Sequence, residues 1–129
     1  MIALDTHVWF WLINSPERLS DATAAAIGET GSYIVPAVCC WELGMLAEKG
    51  RLRFPDGIRA WIRRALLDPG AIAVPLTPAI ATDAALLNGS AIGGDPADRM
   101  IYATARAERA TLVTRDERLR GFDPDNTLW

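Results

Sequence analysis

Four acids sit at separated points of the chain, in settings where an acid is hard to explain as surface decoration. Asp5 ends the apolar run Ile2-Ala3-Leu4, and Glu42 follows Trp41 inside an apolar stretch. Asp98 lies in Asp95-Pro96-Ala97-Asp98-Arg99, and Asp116 follows the strand-like Leu112-Val113-Thr114. Brought together by a fold, these carboxylates would be an oxygen-rich ligand set for a hard divalent cation, and an ion so held supports chemistry on phosphates.

Each acid also has a local explanation. Asp5 can cap a helix beginning at Thr6. With Asp95 as cap and Pro96 at the first helical position, Asp98 falls at the third, where an acid meets free amides and the helix dipole. Asp116 can be a turn residue in Thr114-Arg115-Asp116-Glu117. Glu42 resists such a reading. Positions 38, 41, 42 and 45 share a helix face that reads Val38, Trp41, Glu42, Met45, which sets the acid on or beside an inward stripe. A buried, unpaired carboxylate costs several kcal/mol, so Glu42 calls for a metal, a basic partner or a proton. Asp98 shares its face with Ile101 and Ala105 and is expected to point toward a sheet.

Other chemistries find less support. Cys39 and Cys40 are adjacent, so they offer neither a zinc spacing nor a staple between distant segments, and they read as small buried hydrophobes. His7 is the only histidine. Ser15, Ser20, Ser32 and Ser90 lack a nucleophile-elbow pattern, and no Walker or Rossmann glycine motif occurs. The net charge of −3 at first argues against a nucleic-acid partner, but twelve of the thirteen basic residues follow Glu48, and Lys49, Arg51, Arg53, Arg59, Arg63 and Arg64 crowd one window. Setting aside the four candidate ligands moves the net charge from −3 to +1. A polyanionic substrate is therefore compatible with a metal-filled site.

The elements that must position these residues follow from the pattern. At 129 residues, half of them apolar, the chain is expected to be a single domain over 1–129. Strands are expected at 2–4, 33–35, 71–74 and 111–114, with a short edge strand at 127–129. Helices are expected at 6–13, 21–29, 37–49, 56–67, 78–87 and 96–109, and a loop at 88–94. Alternating strands and helices imply an α/β three-layer sandwich, a central parallel sheet of four to five short strands flanked by helices. Ligands in such sheets bind beyond the carboxyl ends of the strands, where Asp5 and Asp116 are placed. With no room for a signal peptide and no apolar run long enough to span a bilayer, the protein is expected to be cytoplasmic, with no membrane partner.

The segments Leu4-Asp5-Thr6-His7-Val8, Trp41-Glu42, Asp95-Pro96-Ala97-Asp98-Arg99 and Leu112-Val113-Thr114-Arg115-Asp116 together resemble the PIN domain, and more narrowly the VapC-type toxins of bacterial toxin-antitoxin pairs. The likeness runs from Ile2 to Trp129. It implies a PIN-like fold and a Mg²⁺- or Mn²⁺-dependent endoribonuclease, usually a homodimer, held inactive by a cognate antitoxin. Carried over by position, Asp5, Glu42, Asp98 and Asp116 take the catalytic and metal-binding roles, with Thr114, Thr6 and Asp95 supporting them. The chain departs from the family pattern at Pro36, Cys39 and Gly93, none of which replaces a proposed ligand. Arg99 and Arg115, each beside a candidate ligand, are candidate contacts to RNA phosphates, and 49–64 a candidate path for the RNA backbone.

Two rivals remain. An aspartyl-phosphate phosphohydrolase wants a second acid two residues after the first, and that position is His7. A PIN-like partner-binding module without significant catalysis would use the excess apolar surface of Val8, Trp9, Phe10, Trp11 and Leu12 as a docking patch.

Overall fold

The computed structural model of the protein describes residues 1–87 and 92–129. Residues 88–91 of the expected 88–94 loop, Ser90 among them, lie outside the described residues.

Five parallel strands form one sheet: β1 (Ile2–Leu4), β2 (Tyr33–Pro36), β3 (Ala71–Val74), β4 (Thr111–Val113) and β5 (Thr127–Leu128), in the order β3-β2-β1-β4-β5. Between them run α1 (Thr6–Asn14), α2 (Asp21–Thr30), α3 (Ala37–Glu48), α4 (Ile58–Ala65), α5 (Pro78–Leu86), α6 (Pro96–Ala107) and α7 (Glu117–Phe122). From β1 the chain steps outward through β2 to β3, then returns to the other side of β1 as β4. Strand order thus reverses between β1 and β4, which pair in register with Leu4 opposite Val113. A crevice opens beyond the carboxyl ends of strands at such a reversal. Asp5 leaves one of these strands and Thr114 the other.

The elements follow local chemistry. Ser20 caps α2 by accepting a hydrogen bond from Thr23 N at 3.1 Å, and Gly31 ends that helix at φ +65°, a conformation glycine adopts without a Cβ penalty. Thr77 caps α5, with Pro78 at its first position. α6 stops at Ala107, two residues before the expected end, where Arg109 turns to φ +53°. α4 is shorter at both ends than the expected 56–67.

The central strands are almost wholly buried: Ile2, Ala3, Leu4, Ile34, Val35, Leu112 and Val113 are all core, with Ile101 and Ala105 of α6 packed on them. The apolar surplus of α1 is absorbed by an aromatic cluster. Trp9 meets Trp61 edge-on at 5.1 Å, Phe10 stacks on Trp61 at 5.7 Å, and Trp11 lies 5.9 Å from Trp129. Val8, Trp9 and Trp11 are buried, and Phe10 and Leu12 are partly buried against the core, so most of this apolar surplus is used inside the fold.

The α3 face is a correction to the sequence reading. Val38, Cys39 and Leu43 are its buried residues, whereas Trp41 is 58% exposed and Met45 is exposed. Cys39 and Leu43, one turn apart, point into the core, and this rotation moves Glu42 from the inward stripe to its edge. The window of positive charge also divides. Arg59, Arg63 and Arg64 ride the outer face of α4, opposite buried Trp61, with Arg64 paired to Asp56 at 3.3 Å. Lys49 and Arg51 instead line a hollow beside Glu42. Among the described residues no helix is long and apolar enough to cross a membrane.

Candidate metal centre

A cleft of about 610 Å³ opens over the β1–β4 crevice, lined by Asp5, Glu42, Asp95, Asp98 and Asp116 together with His7, Trp11, Arg115 and Arg118. All four acids singled out in the sequence, and Asp95, share this one cavity.

Each acid is fixed by its element. Asp5 follows β1 and caps α1, its Oδ1 accepting from Thr6 N at 2.8 Å while its Oδ2 accepts from the Thr114 hydroxyl at 2.6 Å. Thr114 Oγ1 in turn accepts from Asp116 N at 3.0 Å, so one buried threonine ties the two walls together. Asp116 caps α7 with Oδ1, at 2.8 Å from Arg118 N and 3.2 Å from Leu119 N. Asp95 caps α6 the same way, its Oδ1 accepting from Ala97 N at 2.9 Å and Asp98 N at 3.3 Å. Capping by Asp95 and Asp116 uses Oδ1 and leaves Oδ2 for another partner. The local and the functional explanations of these acids therefore coexist.

Glu42, Asp95 and Asp98 each bring one carboxylate oxygen into a set whose members all lie within 4.8 Å of one another. Asp5 and Asp116 line the same cleft but are not in this set. Asp95, expected in a supporting role, stands as near the centre as Glu42 and Asp98.

Crowding of like charge shows in the proton affinities. Burial, then Asp5, Asp95, Glu42 and Asp116 in turn, pushes Asp98 up to about 7. Glu42 is raised by burial first, with Asp5 and Asp95 adding to it. Burial also raises Asp5, opposed by its bonds from Thr114 and Thr6. Thr6 Oγ1 is buried and makes no well-formed hydrogen bond, yet it lies close enough to Glu42 and Cys39 to hold both down slightly.

The donor set fits a hard divalent cation. It is all carboxylate and hydroxyl oxygen, the charges repel without a counter-ion, and no Cys/His set competes. One cation is supplied by the chain itself. Arg118 Nη2 lies 3.8 Å from both Asp98 Oδ2 and Asp116 Oδ2. The sequence reading missed this residue because it treated Asp116 as a turn; with Asp116 recognised as a cap, Arg118 falls in the first turn of α7, at the cleft. Gly93 belongs to the same corner, since a Cβ there would stand 3.1 Å from Arg118 Nη1 and its φ of +89° disfavours a side chain. Arg115 lines the cleft with its guanidinium 5.9 Å from the Trp11 ring. Arg99 is half-buried on α6 and is not among the residues lining the cleft.

Comparison with known proteins places the chain in a family. The PIN domain model matches residues 2–123. The chain is 40% identical over 119 residues to Ribonuclease VapC22 of Mycobacterium tuberculosis, covering 92% of this chain and 89% of that protein. Among solved structures, VapBC2 from Rickettsia felis bound to a promoter DNA fragment superposes with a TM-score of 0.71 at 16% identity, over 99% of this chain and 98% of that one. A toxin-antitoxin complex from Klebsiella pneumoniae gives 0.69 at 18%, over 100% and 97%. The parallel sheet, the cleft at its strand-order reversal and the family match across nearly the whole sequence establish that this chain belongs to the PIN domain family.

Proposed function

We propose that this protein is a Mg²⁺- or Mn²⁺-dependent endoribonuclease, the toxin of a toxin-antitoxin pair, acting in the cytoplasm and inhibited by a cognate antitoxin. The observation that carries the reading is the meeting of Glu42, Asp95 and Asp98 within 4.8 Å, in one cleft with Asp5 and Asp116. The 40% identity to a protein named as a ribonuclease supports RNA as substrate. The antitoxin partner draws on the likeness to complexes of toxin with antitoxin, and a homodimer is the assembly that the family resemblance implies.

Glu42, Asp95 and Asp98 would hold the ion, with Asp5 and Asp116 engaging it directly or through water. Bound there, a divalent cation supplies activation of a water and neutralisation of charge on the phosphate. Thr114 holds Asp5 in its orientation by donating to its Oδ2, and the carboxylates facing the cleft would orient a water there. Arg118 is placed to release its acids and contact the substrate phosphate, with Arg115 beside it.

Cleavage of structured RNA with Mn²⁺, with and without chelator, for wild type and Asp5→Ala tests the proposal. Activity is expected only for wild type with free metal; activity that survives both treatments rejects it. Thr114→Val keeps the shape of the side chain but removes the hydroxyl. It is expected to weaken Mn²⁺ binding about 10- to 100-fold by calorimetry, as loss of a ligand-orienting partner does.

A further inference from the structure

Beside the acidic cleft lies a second hollow of about 320 Å³ that shares Glu42 and Asp95 with it. Its wall carries Trp41, 58% exposed, with Met45 and Leu46, and the exposed Lys49 and Arg51 line it as well. A large aromatic ring left open to solvent next to two cations is an unusual use of a tryptophan, given that Trp9, Trp11 and Trp61 of this chain are all buried.

We propose that this hollow is a subsite for one unpaired nucleotide of the RNA, its base stacked on Trp41 and its phosphate held by Lys49 and Arg51. The inference rests on the ribonuclease reading and deepens it, because it names the residues that would seat an unpaired nucleotide beside the carboxylates. Three observations converge. Trp41 and Glu42 line the same hollow and Glu42 also lines the acidic cleft, so a base stacked on Trp41 leaves the neighbouring phosphodiester beside the carboxylates. The charge is divided in the sense a strand needs, with acids on the wall shared with the metal centre and bases in the rest of the hollow. A bare aromatic with flanking cations is the usual platform for unpaired bases, whereas a duplex keeps its bases stacked internally. The rival occupant is a second copy of the chain, since Trp41 also borders an apolar hollow with Leu76 and Met100. Four charged residues in the present hollow favour RNA, as their burial in a protein interface would require partners.

The test is steady-state cleavage of a single-stranded oligoribonucleotide with Mn²⁺ by the full chain, alongside Mn²⁺ calorimetry and solution mass by light scattering. Trp41→Ala is expected to raise KM about tenfold or more with kcat within about twofold, the scale of one lost stacking contact, while Trp41→Phe stays near wild type. The double variant Lys49→Ala/Arg51→Ala is expected to raise KM and flatten its salt dependence. Mn²⁺ affinity and mass of Trp41→Ala are expected to match wild type. An unchanged KM for Trp41→Ala overturns the subsite alone. A reduced mass, with activity restored at high protein concentration, overturns it in favour of a second copy, and weakened Mn²⁺ binding overturns it in favour of a structural role. Absence of metal-dependent cleavage by wild type removes the ribonuclease reading and the subsite with it.

Discussion

Asp98→Asn is expected to lower metal-dependent RNA cleavage by about 100-fold or more, and at the same time to raise the melting temperature of the metal-free protein at pH 8. The loss of activity follows from removing one negative ligand, since a bound cation contributes several kcal/mol of charge stabilisation and each 1.36 kcal/mol is tenfold in rate. The gain in stability follows from burial of a charged group and, after it, from like charge around it. Asp98 is held at about 7 in the fold, its side chain only 15% exposed, against an ordinary value of 3.8. Keeping it ionised therefore costs on the order of 4 kcal/mol at most. Two effects oppose the gain. An acid in the first turn of α6 interacts with the helix dipole for about 0.3–1 kcal/mol, and its pairing with the 60% exposed Arg118 at 3.8 Å is worth about 0–1 kcal/mol. Burial of the carboxylate, with crowding by Asp5, Asp95, Glu42 and Asp116 added to it, outweighs both, so a net gain on the order of 1–2 kcal/mol is expected in thermal melts. A variant both inactive and less stable would contradict the crowding account. An active one would remove Asp98 from the centre.

The second large effect is a reversal of pH dependence on adding metal. Asp5, Glu42 and Asp98 all have raised proton affinity in the fold, so the native state holds more protons than the unfolded chain between their ordinary values near 4 and the Asp98 value of about 7. Without metal, stability is therefore expected to fall as pH rises through that window and to level off above it. Asp123 is shifted the other way, lowered by Asn126 and Tyr102 against the effect of its burial, and its contribution is lost only on falling below about 4, outside the window. With millimolar Mn²⁺ the slope is expected to invert. Ligand binding needs the ionised acids, and an ion that binds only the native state adds stability as its affinity rises with pH. Melting curves at pH 5, 6, 7 and 8, with chelator and with Mn²⁺, measure both slopes. A metal-free melting temperature that climbs from pH 5 to 8 would mean that burial and crowding do not raise the proton affinity of these acids in the fold.

Much of the fold was legible because local rules agree with it. Pro78 after Thr77, Pro96 after Asp95, Gly31 after α2 and the largely apolar central strands each state their element without tertiary help. The misses have physical causes. α7 is six residues long and contains Gly121, too short for a periodic signal, and it conceals Arg118. On α3 the apolar residues run nearly all the way round the helix, so periodicity does not define which side is inward, and the face chosen from the sequence was off by about one position. That error made Trp41 look buried when it is 58% exposed.

The sequence by itself determined the acid inventory, its placement at element starts and strand ends, the alternation that implies a parallel sheet, and the PIN resemblance. These are local or pairwise along the chain and can be read from neighbours. Only the tertiary structure decided which oxygens meet: Glu42, Asp95 and Asp98 within 4.8 Å, Asp5 and Asp116 tied across the crevice through Thr114, and Arg118 between Asp98 and Asp116. Those distances span Asp5 to Thr114 in sequence, and they exist because the chain returns from β3 to place β4 beside β1. Pairing of strands so far apart in sequence is set by the packing of the whole core, and no short stretch of residues carries it.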